Sequence, residues 1–157
     1  MNMKAPGYGV AVEWHSDWPF YPHTNDMGVT SGVYLDDVDI NNGPLMVLHG
    51  SHKMGIIDHH SDEYFCRAID PIKTPLNFDE AVPLPGPAGT ITLHHVRTVH
   101  GSALNRFKKP RRLLLQGYFA TDAWPLNGFR SGQSLNNFDD LILRGSATLE
   151  PGLKINL

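Results

Sequence analysis

Hydrophobic and polar positions along the chain fall into short blocks separated by turn residues. Residues 8–14 read Y-G-V-A-V-E-W, a β-branched and aromatic run that predicts a strand. Residues 18–27 carry two prolines, Asn25 and Asp26, and read as a loop. Residues 28–35, G-V-T-S-G-V-Y-L, predict a second strand, closed by the acidic turn at 36–39. Asn41-Asn42-Gly43 signals a turn before a third strand at 44–48. Residues 49–80 are polar and irregular, with a helical turn expected at 61–66. Strands are expected at 81–84 and 90–93 around the turn P-G-P-A-G, and another opens at 98–100. R-R-L-L-L-Q-G-Y-F-A at 111–120 has the strongest strand character, and 134–144 reads as a short helix stopped at Gly145. Short strands with turn chemistry between them predict a mainly β sandwich or jelly-roll barrel, a shape that holds ligands at its mouth.

A length of 157 residues fits one domain with one core. With 41% hydrophobic and 18% charged residues, the chain is globular and not disordered. A net charge of −3 gives no general attraction to nucleic acid or anionic membrane, so neither is expected as a partner. No apolar run approaches membrane-spanning length. Cys66 is the single cysteine, which excludes an intrachain disulfide framework and fits a reducing, cytoplasmic compartment. Nine histidines beside 15 glycines and 12 prolines add the prospect of a bound metal.

His15-Ser16-Asp17 closes the first predicted strand. Residues i and i+2 on a strand share a face, so an imidazole and a carboxylate can converge on one ion. His100, in T-V-H-G-S, is a candidate for the second imidazole, although nine histidines offer many partners. Two His and one carboxylate form the facial triad of non-haem iron(II) oxygenases. Arg111 and Arg112 open the strand after His100. A planar guanidinium suits a cosubstrate carboxylate, and only one of two strand neighbours can point inward. Alternation alone does not choose between them, and Arg106, Lys108, Lys109, Arg111 and Arg112 also read as a solvated basic turn.

The run W-H-S-D-W-P-F-Y-P-H-T-N-D at 14–26 is followed by N-N-G-P-L-M-V-L-H-G-S-H-K at 41–53. H-H-V-R-T-V-H-G-S-A-L-N stands at 94–105, before R-R-L-L-L-Q-G-Y. Together these blocks resemble the phytanoyl-CoA dioxygenase family over residues 8 to about 126. The resemblance implies a double-stranded β-helix (jelly-roll, cupin-like) fold using Fe(II), 2-oxoglutarate and O2. It implies hydroxylation of an unactivated C–H bond of a small organic substrate, with release of succinate and CO2. By position it implies His15, Asp17 and His100 as iron ligands, and Arg111 with Ser102 on the distal carboxylate of 2-oxoglutarate. Trp18 and His23 are candidates for the substrate pocket. His49 replaces a proline usual before G-S-H-K and reads as a turn variant.

The family pattern places a first core strand and backing helices before the His-x-Asp strand, whereas here the motif arrives at residue 15. The expectation is a single domain over 1–157, with a jelly-roll core at 8–126 and a C-terminal extension at 127–157. It is expected to lack the first strand and backing helices of that pattern. Such a barrel exposes a sheet edge, with three outcomes open: another copy covers it in a homo-oligomer, residues 1–7 patch it, or the domain is unstable. Two rival readings are a non-catalytic metal-binding remnant and a metal-dependent hydrolase. His59 and His60 are expected to be exposed in a polar loop, and His95 to pack structurally, an odd number of residues from His100.

Overall fold

The computed structural model describes residues 1–7, 9–128 and 139–153. Among these, ten strands follow one another: β1 (Asn2–Lys4), β2 (Val12–His15), β3 (Gly28–Tyr34), β4 (Leu45–Val47), β5 (His60–Ser61), β6 (Tyr64–Phe65), β7 (Val82–Leu84), β8 (Ile91–His95), β9 (His100–Ser102) and β10 (Arg111–Phe119). One antiparallel sheet has the order β1-β10-β3-β8, and the second has the order β2-β9-β4-β7. Apart from the small β5–β6 hairpin and the step from β4 to β7, the chain changes sheet at every strand. This alternation is the winding of a double-stranded β-helix, as expected.

Three features differ from expectation. The strand β1 was not visible in the pattern, yet it pairs with β10 in the register Asn2↔Leu113, Met3↔Arg112 and Lys4↔Arg111. Asn2–Lys4 thus cover the edge of β10. The turn at 61–66 is a β-hairpin and not helical. It reverses at Asp62 and Glu63, both with positive φ, where the chain cannot continue as a helix. Of the helix expected at 134–144, residues 134–138 lie outside the described residues, and Asp139–Leu141 forms a single 3-10 turn. No α-helix occurs among the described residues.

Polar side chains line much of the interior between the sheets. Lys4, His94, His100, Ser102 and Arg111 are all buried. The larger apolar cluster lies on the outer side of the second sheet, where Leu48, Ile57, Ile69 and Val99 pack with Trp14, Leu76 and Phe78. Trp14 stacks on Phe78 with ring centroids 4.9 Å apart. It lies where a side chain at position 101 would project: a Cβ on Gly101 would stand 3.1 Å from the Trp14 ring. A smaller cluster, Tyr34, Val38 and Leu113, belongs to the first sheet. On that sheet's outer face Leu114, Val33 and Ile91 align across three strands, and Ile91 and Leu93 remain 62% and 68% exposed.

Candidate metal centre

The strands β2 and β9 pair with His15 opposite His100, after a bulge that follows Val12. Their rings lie side by side, with centroids 4.2 Å apart. Asp17 does not continue the strand. The extended conformation ends at His15, and Asp17 takes helical angles at the head of the 3-10 turn Trp18–Phe20, which Pro19 favours. The carboxylate therefore folds back beside the imidazoles. Ligand atoms of His15, Asp17 and His100 all lie within 4.8 Å of one another.

The donor set fits a divalent ion. His15 Nδ1 lies 2.7 Å from the Glu13 carbonyl and His100 Nδ1 lies 2.9 Å from the Thr98 carbonyl. Each carbonyl can only accept, so each Nδ1 carries the proton and each Nε2 offers a lone pair. Burial, with His15 nearby, lowers the His100 pKa to about 3, so the ring is neutral at physiological pH. Burial alone would raise the Asp17 pKa, but hydrogen bonds from His94 and Thr30 and the neighbouring His100 hold it well below the usual carboxylate range. Two imidazoles and one carboxylate within reach of bonds of about 2.1 Å form a facial triad.

His59 supports this constellation and corrects the expectation of exposure. It is 1% exposed, donates from Nδ1 to the Ile57 carbonyl at 2.8 Å, and accepts at Nε2 from the Ser16 amide at 3.0 Å. Ser16 separates His15 from Asp17, so His59 fixes the backbone between them. His60 is exposed, as expected, beside Asp58.

Deeper in the barrel lie two buried cations. Arg111 is 1% exposed, donates from Nη1 to Asn2 Oδ1 at 2.9 Å, and keeps Nε buried without a hydrogen-bond partner. Arg112 points outward onto Asp36, so Arg111 is the member of the pair that faces inward. Lys4, opposite Arg111, reaches the carbonyls of Val10, Ser102 and Ala103 at 2.5, 3.4 and 2.7 Å. Burial and then Arg111 lower the Lys4 pKa from 10.5 to about 8. Burial lowers that of Arg111 to about 10, with Tyr34 opposing. Ser102 is buried one pleat further along β9 than His100, on the same face.

A cavity of about 710 Å³ opens from Asp17 and Thr30 and is walled by Phe20, His23, Leu115 and Phe119. His23 stacks on Phe119 at 3.8 Å. Trp18 lines a different cavity of about 290 Å³, with Ile57, His59 and Phe65, so the structure separates the two pocket candidates. The residues that sequence reasoning did not assign to the site are Lys4, Thr30, His59 and His94. Thr30 and His94 both hydrogen-bond Asp17.

The phytanoyl-CoA dioxygenase family profile matches residues 1–113. A probable alpha-ketoglutarate-dependent hypophosphite dioxygenase from Stutzerimonas stutzeri is 45% identical over 159 residues, covering 96% of this chain and 53% of that protein. L-proline trans-4-hydroxylase from Streptomyces griseoviridis is 33% identical, covering 75% of this chain and 52% of that protein. The chain spans about half the length of these relatives. EctD from S. alaskensis, solved with 2-oxoglutarate and 5-hydroxyectoine, superposes with a TM-score of 0.58 at 26% identity, over 76% of this chain and 42% of that one. The carbocyclase SnoK matches the fold with a TM-score of 0.65 at 24% identity, over 77% and 48%.

Proposed function

The chain belongs to the phytanoyl-CoA dioxygenase family, and we propose that it is the metal- and cosubstrate-binding core of an iron(II)- and 2-oxoglutarate-dependent dioxygenase. The observation that carries this reading is the convergence of His15, Asp17 and His100 within 4.8 Å, with the proton of each imidazole turned away onto a backbone carbonyl. His15 and His100 would hold iron through Nε2 and Asp17 through a carboxylate oxygen. Bound iron with 2-oxoglutarate and O2 supplies the oxidising chemistry, with succinate and CO2 as coproducts.

The chain's own residues bind and orient. Arg111 supplies a planar fork for the distal carboxylate of 2-oxoglutarate, and its unpartnered Nε is a donor ready for that anion. Ser102 stands on the face of β9 that carries His100 and is placed to join Arg111 on that carboxylate. Lys4 adds positive potential from the paired strand. A dicarboxylate anchored there would reach the triad with its other end, and the cavity beside Asp17, with His23 in its wall, would receive a small-molecule substrate. Whether that substrate is hydroxylated at an unactivated C–H bond follows from which molecule occupies the cavity. Residues 1–157 act in this reading as one domain.

The test is succinate formation by the purified chain with added Fe(II) and 2-oxoglutarate, screened against small organic acids, amino acids and phosphorus oxyanions. Succinate released only when both iron and 2-oxoglutarate are present supports the reading. Turnover that needs metal but no cosubstrate would make the protein a hydrolase. Metal binding with no turnover on any substrate would make it a non-catalytic binder.

A further inference from the structure

Asp17 is the anionic member of the triad, and its two oxygens are in different surroundings. Oδ2 accepts the Thr30 hydroxyl at 2.6 Å and His94 Nε2–H at 3.2 Å. Oδ1 is turned toward His100 Nε2, 3.8 Å away. Thr30 and His94 are register partners on β3 and β8, so both come from the first sheet, whereas His15 and His100 belong to the second. The His94 side chain is 6% exposed, its ring centroid lies 4.5 Å from that of His100, and its Nδ1 is buried without a hydrogen-bond partner. A buried imidazole with an orphaned nitrogen is costly, and a leucine or phenylalanine would fill the same space without that penalty. The polar contact that His94 makes is the one to Asp17.

Building on the iron reading above, we propose that His94 is a positioning residue that, with Thr30, occupies Oδ2 so that Asp17 meets the metal through Oδ1 alone. A free carboxylate can chelate an ion through both oxygens. Chelation here would take one of the three coordination positions that the triad leaves open, and cosubstrate plus O2 need all three. With Oδ2 already bonded to two donors, that position stays vacant. His94 is not a fourth ligand in this arrangement: its Nε2 faces Asp17, and its Nδ1 lies in packed surroundings.

The test measures metal binding and metal-bound water, without turnover, on the whole chain and three variants: His94→Phe, His94→Gln and Thr30→Val/His94→Phe. Circular dichroism checks that each is folded. Fe(II) affinity is measured by anaerobic titration, and bound water by proton relaxation with Mn(II) in the site. His94→Phe is expected to weaken Fe(II) binding about 10–100-fold. His94→Gln keeps a donor and is expected to stay near the wild-type value. The double variant frees Oδ2 to chelate, so its Mn(II) relaxivity is expected to fall by about a third as one of three waters leaves. Wild-type chain that binds no metal would sink the iron reading itself. Wild-type chain that binds metal, with His94→Phe matching it in affinity and the double variant matching it in relaxivity, overturns the positioning role. Equal loss in His94→Gln and His94→Phe also overturns it, because the donor would then be irrelevant.

Discussion

Replacing Arg111 by methionine separates stability from binding. In the free chain the guanidinium is buried opposite Lys4, with Asn2 as its hydrogen-bond partner and Nε unpaired. Its pKa falls well below the usual guanidinium value, to about 10, so the folded state disfavours the charged form, and at neutral pH that charge is carried at a cost. At about 1.4 kcal/mol per pH unit, the displacement corresponds to about 3 kcal/mol. Residual solvent screening and the lost Asn2 hydrogen bond reduce the net gain for Arg111→Met to about 1–2 kcal/mol. For a chain of this length that is a rise in Tm of roughly 2–8 °C. The same substitution removes the anchor for the distal carboxylate. With Zn(II) in place of Fe(II) to prevent turnover, 2-oxoglutarate at about a hundred times its Kd should stabilise the wild-type chain by about 2.7 kcal/mol, and the variant hardly at all. The two melting curves therefore exchange order: the variant is the more stable without cosubstrate, and the wild type with it. Differential scanning calorimetry with and without 2-oxoglutarate reads both effects. A variant that melts lower than wild type in the free state and still shifts with cosubstrate would refute the argument.

Lys4 has a folded-state pKa of about 8 against 10.5 in the unfolded chain, so the unfolded state holds the extra proton between those values. Stability of the free chain is therefore expected to rise with pH from about 8 to 10.5, and Lys4→Met to abolish that slope in urea titrations. Cosubstrate affinity is expected to fall over the start of the same window, as Lys4 loses its charge. His59→Phe leaves the Ser16 amide without its acceptor and is expected to cost about 1–3 kcal/mol in denaturant unfolding, with weaker metal binding as well. His15→Ala and His100→Ala are expected to lose Fe(II) binding in anaerobic titration. Arg112→Ala, on the outer face with Asp36, is expected to leave 2-oxoglutarate binding unchanged by calorimetry.

The strands that carry the site were legible because their patterns are local. Residues 28–35 and 111–120 became β3 and β10 almost residue for residue. What stayed hidden depends on distant pairing. Three residues at Asn2–Lys4 form a strand only because β10 offers them an edge, and nothing in their own composition announces it. His59 sits in a polar stretch, and its burial comes from the Ser16 amide 43 positions away. Counting positions from His95 to His100 presumed one regular strand. The chain instead changes sheets between them, so the odd spacing carries no information about faces. His95 still packs outside the barrel, where its Nδ1 accepts the Arg97 amide, for a reason that counting did not supply. The same change of sheet brings His94 opposite Asp17, a relationship that no sequence spacing encodes.

The uneven placement of apolar packing has a consequence for how the fold opens. The second sheet is backed by Leu48, Ile57, Ile69 and Val99, with the Trp14–Phe78 stack, while among the described residues the first sheet has a three-residue cluster and an exposed outer face. Amide hydrogen exchange should therefore divide the molecule into two cooperative units, with β2, β4 and β9 exchanging slowest and β3, β8 and β10 through lower-energy openings. His15 and His100 lie in the slow unit, while Arg111, Thr30 and His94 lie in the fast one. A dicarboxylate held between metal and Arg111 would tie these units together, and the protection of the first sheet would climb toward that of the second.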